Sequence, residues 1–300
     1  MPAEPLVTSI LITYNHRDSI EQAIQSILNQ RTTFAHKVII RDDCSTDGTT
    51  EVCQEYARRY PELIEFEPSE LNQGLVENIF AGLTQVRSEF FATLEGDDYW
   101  CDSSKLEKQV NGLRQNPHCS FCGHNTRYES GDANNDARVM FSESKYNIKN
   151  EYEFPSRFTK RNFVKVHPSS RLYRTSTVDF SKLKFKGSLV WDSSAYWYFL
   201  SKGNLLYIDE IMSVYRITGR GVFTGSPTRR QRFMSIYNNL NINDELDFKY
   251  HKLFMPRALR HRNLLGLNWI DCINLRYRKD ENFQKYNQLR DQVRQQLNLF

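Results

Sequence analysis

The sequence lacks long hydrophobic runs and low-complexity segments. No apolar run approaches the roughly 18–20 residues that a membrane-spanning helix needs, and the 13 glycines and 9 prolines stand singly. Residues 1–5 carry neither the basic nor the apolar segment of a secretory signal. Apolar residues make up 39% of the chain and charged residues 25%, which is typical of a globular protein. We therefore expect a soluble protein of the cytoplasm.

Cysteine is scarce and the net charge is small. The chain of 300 residues has 6 cysteines, which at this length favours reduced thiols over a disulfide framework. The net charge is only +4, but residues 229–300 hold 14 Lys/Arg against 7 Asp/Glu. A nearly neutral body with a basic tail argues against a nucleic-acid-binding protein, whose basic surface should lie on the folded domain.

Strand and helix patterns alternate through residues 1–125. Residues 7–14 form an apolar, β-rich run typical of a strand buried on both faces of a parallel sheet. Ile20, Ala23, Ile24 and Ile27 then recur at helical spacing. Further strands are predicted over residues 37–41, 63–66 and 89–94, and helices over 47–59 and 75–86. This alternation predicts an α/β fold, a doubly wound and mostly parallel sheet flanked by helices, which binds ligands at the carboxyl ends of its strands.

The rest of the chain is less regular. A helix over residues 103–115 and a strand over 120–126 precede a polar stretch without a clear period, residues 128–160, which we interpret as a lid or acceptor loop. Ordered patterns resume over residues 164–174, in a helix over 192–200 and in strands over 205–208 and 212–217. A glycine-rich hinge over residues 219–227 is followed by helices that continue to the end.

Acidic residues follow two of the predicted strands. Asp42 and Asp43 come after the second strand, and Glu95, Asp97 and Asp98 after the fourth. Carboxylates clustered at the edge of a sheet are costly unless they meet a cation or hydrogen-bond donors. Oxygen ligands of this kind suit Mg²⁺ or Mn²⁺, ions that commonly bind substrate phosphates as well. The alternative is that Asp97 or Asp98 only caps the following helix.

Residues at the same edge suit a nucleotide. Tyr14 and Asn15 follow the first strand and offer an aromatic face for stacking on a base, together with an amide. Asp43 lies where a nucleobase or a ribose could hydrogen-bond. The neighbouring Ser45 and Thr46 are good N-cap residues, and that local role is expected for at least one of them.

Several short motifs resemble, in their order and spacing, those of family 2 glycosyltransferases. They are residues 10–15 (ILITYN), 26–30 (SILNQ), 42–49 (DDCSTDGT), 72–74 (NQG), 95–100 (EGDDYW), 191–192 (WD) and 214–216 (VYR). The resemblance extends over roughly residues 5–225. It implies a GT-A fold and transfer of a sugar from a nucleotide diphosphate donor to an acceptor hydroxyl, by a single displacement with inversion at the anomeric carbon.

The resemblance also implies roles for single residues. The donor would be bound by Thr13, Tyr14, Asn15, Asp43, Asn72, Glu95 and Asp97. Asp97 and Asp98 would hold a divalent metal, Mn²⁺ or Mg²⁺. Asp192 falls at the position of the catalytic base, which takes the proton of the acceptor hydroxyl.

The resemblance further implies a division of the chain and a set of partners. Residues 1–227 would form the catalytic domain, with a nucleotide-sugar half over 1–125 and an acceptor half over 126–227, and residues 228–300 a basic helical extension. The expected partners are a nucleotide-sugar donor, with a UDP-sugar favoured, and a glycan or lipid-linked glycan acceptor in surface polysaccharide or glycolipid biosynthesis. The resemblance does not cover the extension, whose basic and apolar residues favour a helix that packs its apolar side on the catalytic domain over one that rests on the inner face of the cell membrane; self-association through its end stays open.

Two functions other than sugar transfer are possible for such a sequence, a non-catalytic binding protein and an NAD-dependent dehydrogenase. Glu95 stands where the family motif more often begins with Asp, and Thr218 stands where many members carry a histidine ligand. These departures keep open a non-catalytic relative that binds a nucleotide-sugar or a glycan. An NAD-dependent dehydrogenase is excluded, because Thr13, Tyr14 and Asn15 follow the first strand in place of a Gly-x-Gly-x-x-Gly loop.

A group of cysteines and histidines has the spacing of zinc ligands. His118, Cys119, Cys122 and His124 lie within seven residues. If this segment is a strand, Cys119 and Cys122 point to opposite faces, so we expect core cysteines and no zinc site. His124 and His167 are expected to line the cleft or to make local hydrogen bonds.

Overall fold

The structure is a computed structural model that describes residues 4–130, 139–140, 149–155, 164, 166–180, 191–219, 225–268, 271–272, 275 and 283–297. The chain divides into two compact units. The first comprises residues 1–155, 159–182 and 199–218, and the second comprises residues 156–158, 183–198 and 219–300. The domain boundary expected between residues 227 and 228 stays a prediction.

The first unit alternates strands and helices before it becomes strand-rich. Its elements are β1 (Val7–Thr13), α1 (Ile20–Leu28), β2 (His36–Asp42), α2 (Thr49–Arg59), β3 (Ile64–Pro68), α3 (Leu75–Leu83), β4 (Phe90–Glu95), β5 (Tyr99–Trp100), α4 (Lys105–Gln115), β6 (Cys119–Glu129), β7 (Glu151–Tyr152), β8 (Leu172–Arg174) and β9 (Asn204–Arg216). A 3-10 turn, Pro168–Ser170, precedes β8. The expected α/β fold is confirmed.

These strands form one sheet in the order β3-β2-β1-β4-β8-β6-β9-β5, and β7 pairs with β9. The pairs within β3-β2-β1-β4 are parallel, and β4 meets β8 antiparallel. Thr13 pairs with Asp42 and Ile12 with Glu95. The carboxyl ends of β1, β2 and β4 therefore lie side by side, and the loops that leave them share one edge.

The core around β1 explains this arrangement. All seven residues of β1 are buried, as expected for a strand covered on both faces. The helical stripe predicted from Ile20, Ala23, Ile24 and Ile27 is confirmed, because all four side chains are buried in α1 and pack in the same core as β1. Burying such a face is what holds a short helix in place.

One predicted break is wrong. Strands expected over residues 205–208 and 212–217 are a single strand, β9, of 13 residues. Asp209, Glu210 and Ile211 in its middle are exposed, which weakened the strand pattern in the sequence. The pairing with β6 nevertheless continues past them, with an irregular register near His124 and Asn125. Such a bulge keeps two strands paired while it re-aims their side chains.

The long polar stretch is only partly described. Within residues 128–160, residues 131–138, 141–148 and 156–160 lie outside the described part of the chain, as do residues 220–224 of the predicted hinge. The described residues of that stretch include β7, which pairs with β9. Its assignment as a lid or acceptor loop stays a prediction.

The second unit is helical in its described part. Residues 191–198 of α5 (Trp191–Lys202) belong to it, followed by α6 (Thr228–Glu245), α7 (His251–Ala258), a 3-10 helix (Leu259–Leu265) and α8 (Phe283–Leu297). Its core includes Leu240, Met255 and Val293, and the hydroxyl of Tyr286 donates to the carbonyl of Leu240 at 2.8 Å. Among the helices described, none has both the length and the apolar character to cross a bilayer.

Candidate functional site

The loops after β1 and β2 are joined by hydrogen bonds that involve Asn15. Its backbone N–H donates to the Ser45 hydroxyl at 2.9 Å, and its side-chain oxygen accepts from the Thr46 N–H at 2.8 Å. Asn15 has a φ of 55°, a left-handed conformation that asparagine adopts more readily than most residues. The Asp43 N–H donates to the Thr13 carbonyl at 2.9 Å. Asn15 thus shapes the edge at which the nucleotide-sugar was expected to bind. The adjacent residue, Tyr14, is 45% exposed.

Asp42 and Asp43, at the end of β2, fix the conformation of neighbouring loops by accepting hydrogen bonds from them. Asp43 is buried, and its oxygens accept hydrogen bonds from the backbone N–H groups of Gln73 and Gly74, each at 2.8 Å. Asp42 accepts from the hydroxyl of Ser45. The Asp43 contacts fix the segment that carries Asn72, and the expected contact of Asp43 with the base stays a prediction. Asn72 itself is exposed.

Gly96 lets the turn after β4 pack closely against the end of β1 and the loop that follows it. Its N–H donates to the Ile12 carbonyl at 2.8 Å, and its own carbonyl accepts from the Ser19 hydroxyl at 2.9 Å. A Cβ atom at this position would lie 2.7 Å from both His16 Nδ1 and Thr13 Oγ1. Only glycine fits without displacement of the β1 loop, so the turn and that loop form one packed unit.

The turn presents Asp97 and Asp98. The Asp98 N–H donates to the Glu95 carbonyl at 3.0 Å, which closes the turn. Asp98 is 1% exposed, and its Oδ1 accepts from the Arg216 N–H at 3.1 Å. The alternative that these aspartates only cap the next helix is wrong, because β5 intervenes and the N-cap residue of α4 is Ser104.

The side chain of Arg216 braces the same turn. Its Nη1 donates to the Asp97 carbonyl at 3.0 Å and its Nε to Glu129 at 2.9 Å, and the guanidinium lies 4.6 Å from the centre of the Tyr99 ring. In the sequence this arginine stands out only as the last residue of the VYR motif. Its structural role depends on the antiparallel pairing of β5 with β9, which places Tyr99 opposite Val214.

Two histidines flank the aspartates. His16 Nε2 lies 4.0 Å from Asp97 Oδ2, and His167 Nδ1 lies 3.5 Å from Asp98 Oδ2. Burial lowers the pKa of His16, although the Asp97 carboxylate acts to raise it. His167 stands before the 3-10 turn, and its ring packs on Tyr215 with 4.4 Å between ring centres. The sequence offered no spacing that links either imidazole to the acidic turn.

The residues of this turn fit a divalent cation. Asp97 Oδ1 is buried and meets no hydrogen-bond donor within the described residues. A buried carboxylate oxygen in that position is costly unless a cation or a donor reaches it. With Asp98 beside it, the turn supplies the oxygen ligands that Mg²⁺ and Mn²⁺ prefer. A cation at this edge would lie beside the loops after β1 and β2.

Comparison with protein families agrees with the resemblance to family 2 glycosyltransferases. The model of glycosyl transferase family 2 matches residues 8–179, more than half of the chain. The chain belongs to this family. It is 30% identical over 230 residues to Rv1520, an uncharacterized protein of Mycobacterium tuberculosis, a match that covers 75% of this chain and 62% of that protein. The chain thus spans about three-fifths of that relative's length.

A second relative and two solved structures are also similar. The teichuronic acid biosynthesis glycosyltransferase TuaG of Bacillus subtilis is 35% identical over 130 residues, 43% of this chain and 50% of TuaG. TarS 1–349 of S. aureus, in complex with UDP-GlcNAc, matches with a TM-score of 0.59 at 16% identity over 96% of this chain and 91% of that one. The mannosyltransferase PcManGT of Pyrobaculum calidifontis, with GDP-Man and Mn²⁺, gives 0.56 at 15% identity over 97% and 85%. These likenesses establish the fold.

The remaining expected site residues are placed as follows. Asp192 lies in the first turn of α5, among residues of the second unit, and is partly buried. Thr218, at the position where many family members carry a histidine, is exposed just after β9. Thr13, Asp43, Glu95, Asp97 and Asp98 gather at the edge formed by β1, β2 and β4. The role of Asp192 as a base stays a prediction.

Three members of the cysteine-histidine group, Cys119, Cys122 and His124, are buried, and the expectation of core cysteines is confirmed, whereas His118 is exposed. Cys119 and Cys122 lie in the core, where burial raises the pKa of their thiols to about 11 and about 12. His124 is buried with Nδ1 2.7 Å from the Asn125 carbonyl. A different set does come together, in which His118, Cys119 and Glu151 bring ligand atoms within 4.8 Å of one another. Glu151 there accepts from Asn204 and lies 2.9 Å from His118 Nε2.

Proposed function

We propose that this chain is an enzyme that transfers a sugar from a nucleotide diphosphate donor to an acceptor hydroxyl. The observation that carries the proposal is the turn after β4, where Asp97 and Asp98 are buried. Among the described residues, no group donates a hydrogen bond to Asp97 Oδ1. Acidic groups at the edge beside the β1 and β2 loops are suited to a diphosphate that arrives with a cation. Family membership and the nucleotide-sugars in the TarS and PcManGT complexes support the same reading.

The donor would be held by the loops of β1 and β2. The exposed ring of Tyr14 offers its face to the base. Asp43 would hydrogen-bond the base, and it also fixes the backbone of Gln73 and Gly74, which holds Asn72 at the same edge. We infer a UDP-sugar, because UDP and UDP-GlcNAc are the ligands named for TarS. TuaG, named for teichuronic acid biosynthesis, supports a role in building a surface polysaccharide or glycolipid.

Asp97 and Asp98 would hold the metal, Mn²⁺ or Mg²⁺. A bound cation of this charge neutralises the negative charge that builds on the departing diphosphate. The chain contributes a fixed arrangement, since Arg216 bonds Asp98 Oδ1 through its N–H and the Asp97 carbonyl through its guanidinium. Glu95, at the end of β4, continues the acidic edge towards the donor.

Asp192 would take the proton of the acceptor hydroxyl. With one base and direct attack, the reaction is a single displacement that inverts the anomeric carbon. Asp192→Asn keeps the size of the side chain and removes its capacity to accept a proton. We therefore expect this variant to lose transfer while its affinity for the donor stays nearly unchanged.

The test measures release of nucleotide diphosphate from UDP-, GDP- and dTDP-sugars, with and without Mn²⁺. We expect slow, metal-dependent hydrolysis of one donor, lost in Asp98→Ala. Asp291→Asn, an exposed aspartate of α8, is the control for Asp192→Asn and should keep full activity. Binding of a nucleotide diphosphate with no turnover of any donor, even with a panel of glycan acceptors, would instead favour the non-catalytic relative.

The acceptor and the cellular site are parts of the same proposal. We infer a glycan or lipid-linked glycan acceptor, and a cytoplasmic enzyme whose basic extension meets the inner face of the membrane. Residues 229–300 carry twice as many cationic as acidic side chains, 14 against 7, and cationic side chains are attracted to anionic lipid. Co-sedimentation with anionic vesicles that disappears at high salt supports this contact, and equal recovery with neutral vesicles contradicts it.

A further inference from the structure

Three side chains that can bind a metal meet at the start of β6. They are the imidazole of His118, the thiol of Cys119 and the carboxylate of Glu151, whose ligand atoms all lie within 4.8 Å of one another. Glu151 is 33 residues from His118 in the chain and comes from β7, so spacing in the sequence does not reveal this set. Neither Cys122 nor His124, which the spacing suggested as ligands, is a member of it.

Strand pairing holds the three side chains together. Cys119 begins β6 opposite Asn204, the first residue of β9, and the Asn204 N–H donates to the His118 carbonyl at 3.2 Å. Glu151 pairs with Leu206 of the same strand. The side-chain amide of Asn204 donates to Glu151 Oε1, which leaves Oε2 directed at His118. A hydrogen bond that orients a ligand in this way is typical of metal sites in proteins.

The cluster lies at the opposite edge of the sheet from the acidic turn. β8 pairs antiparallel with both β4 and β6, so β6 runs in the same direction as β4. Cys119, at the start of β6, is therefore at the edge where β4 begins, whereas Asp97 and Asp98 follow the end of β4. A metal bound by this cluster would be separate from the cation that accompanies the donor.

We propose that His118, Cys119 and Glu151 bind a zinc ion, which links β7 to the start of β6. The proposal is independent of sugar transfer. Zn²⁺ takes thiolate, imidazole and carboxylate ligands in tetrahedral sites, whereas Mg²⁺, Ca²⁺ and Mn²⁺ prefer oxygen. Ligand atoms bonded to zinc at about 2.0–2.3 Å lie about 3.3–3.6 Å apart, so the three side chains need to move only slightly. Water would fill the fourth position.

The charges of the three ligands match a divalent ion. A thiolate and a carboxylate together balance Zn²⁺, with a neutral imidazole as the third ligand. Burial, together with the Glu151 charge, raises the pKa of the Cys119 thiol to about 11, so the thiolate forms when the cation displaces its proton. His118 Nε2 and Glu151 Oε2 lie 2.9 Å apart, and the ion would replace the proton between them while the imidazole keeps one on Nδ1. Their side chains are 55% and 35% exposed, which lets the ion enter from solvent.

Cobalt tests the ligand set, because Co²⁺ substitutes for zinc in such sites and gives a charge-transfer band in the near ultraviolet when a thiolate binds it. We expect the full chain, stripped of metal and titrated with Co²⁺, to develop this band, and Cys119→Ser to lose it. Loss of a residue that only orients a ligand costs about 10–100-fold in metal affinity, so His118→Gln and Glu151→Gln should weaken zinc binding by at least about tenfold. Glu153→Gln, an exposed glutamate just after β7, is the matched control and should bind zinc as the wild type does.

Two further variants separate this cluster from the acidic turn. Asp98→Ala should keep the cobalt-thiolate band, since residues 95–98 include no cysteine. Cys101→Ser, which removes an exposed thiol outside the cluster, should also keep it. Co²⁺ bound without a thiolate band, or a band that persists in Cys119→Ser, overturns the zinc site. Neither result touches the transfer assay with Mn²⁺, so the two proposals can fail separately.

Hydrogen exchange follows the strand that the ion would link. Zinc should slow exchange in the peptide over residues 149–155, compared with the protein in a chelator. The slowing should also occur in Glu153→Gln and should be absent in Glu151→Gln. Equal exchange with zinc and with the chelator in the wild type would overturn the role of the ion in holding β7.

Discussion

The backbone N–H of Arg216 donates a hydrogen bond to Oδ1 of Asp98, 3.1 Å away, and so ties the end of β9 to the turn after β4. The guanidinium of the same residue bonds the Asp97 carbonyl and Glu129 and covers the Tyr99 ring. One residue thus fixes both aspartates of the acidic turn, through its main chain and its side chain. The position of the carboxylates depends on strand pairing across the first unit.

Replacement of this guanidinium tests how far it holds the turn. Arg216→Ala removes three charge-assisted hydrogen bonds, to Glu129, to the Asp97 carbonyl and to Gln22, together with a ring contact, and we expect the free energy of unfolding to fall by about 2 kcal/mol. Arg216→Lys should recover less than half of this loss, because an ammonium cannot reproduce the planar fork. Urea unfolding measures both variants. Arg58→Ala, an exposed arginine of α2, is the control, and an equal loss there would contradict the assignment.

Gly96 gives a steric test of the same turn. In Gly96→Ala the new Cβ would lie 2.7 Å from Thr13 Oγ1 and His16 Nδ1, so the β1 loop must move. We expect a loss of roughly 1–3 kcal/mol in stability together with weaker UDP binding. Gly82→Ala in α3 crowds Ile10 Cγ2 at 2.9 Å and should change stability alone. Calorimetric titration with UDP separates the two, and unchanged affinity in Gly96→Ala would contradict the close fit.

The acidic edge could be predicted because it is encoded locally. The apolar run of β4 ends at Glu95, and two aspartates follow it, so the end of the strand is visible in the sequence. Parallel pairing then brings the carboxyl ends of neighbouring strands together. The contribution of Arg216 could not be predicted in this way, since it lies 118 residues from Asp98 and arrives through an antiparallel pair. His167 directly precedes a short 3-10 turn that has no periodic signal, so a place in the cleft could be expected for it but its proximity to Asp98 could not. Contacts of this kind follow from tertiary packing alone.

Asp43 shows a related limit. Its place after β2 and its chemistry suggest contact with a base, which stays a prediction. The structure adds a second role, because the same carboxylate accepts hydrogen bonds from two backbone N–H groups. A strand-end aspartate thus has two uses that the sequence does not separate. The residues it holds, Gln73 and Gly74, directly precede α3, and no hydrophobic pattern in the sequence could reveal that contact.

The Asp43 contacts predict the effect of removing one charge. Asp43→Asn retains one acceptor oxygen and turns an N–H donor towards the other backbone N–H, so we expect about 1–3 kcal/mol less stability. Hydrogen exchange over Gln73 and Gly74 should also become faster, because one of the two N–H groups loses its acceptor. Mass spectrometry of the peptide over residues 70–76 measures this. Asp18→Asn, an exposed aspartate before α1, should leave exchange there unchanged, and unaltered protection in Asp43→Asn would contradict the prediction.

Lys105 is fully buried at the start of α4. Its ammonium donates to Gln109 Oε1 at 2.7 Å and lies 4.1 Å from the centre of the Trp100 ring. Burial lowers the pKa of Lys105 to about 7, although the Cys122 and Asp102 groups act to raise it. Burial holds the pKa of His124 well below its usual value, and the nearby charge of Lys105 lowers it further. The folded chain therefore gives up this lysine's proton several pH units before the unfolded chain does.

This difference predicts how stability depends on pH. Between about pH 7 and the ordinary lysine pKa of 10.5, the unfolded chain binds more protons at Lys105 than the folded chain, so its contribution to stability rises with pH. Below about pH 7 both states are protonated and the contribution is flat. Relative to Lys105→Met, the wild type should gain up to about 1.4 kcal/mol per pH unit above neutrality, measured by urea unfolding at three or more pH values. Lys108→Met, which removes the neighbouring partly exposed lysine, is the control and should run parallel to the wild type between pH 7 and 9. If the free energy of unfolding of Lys105→Met also changed with pH in parallel with that of the wild type, the buried ammonium would keep its proton in the folded chain.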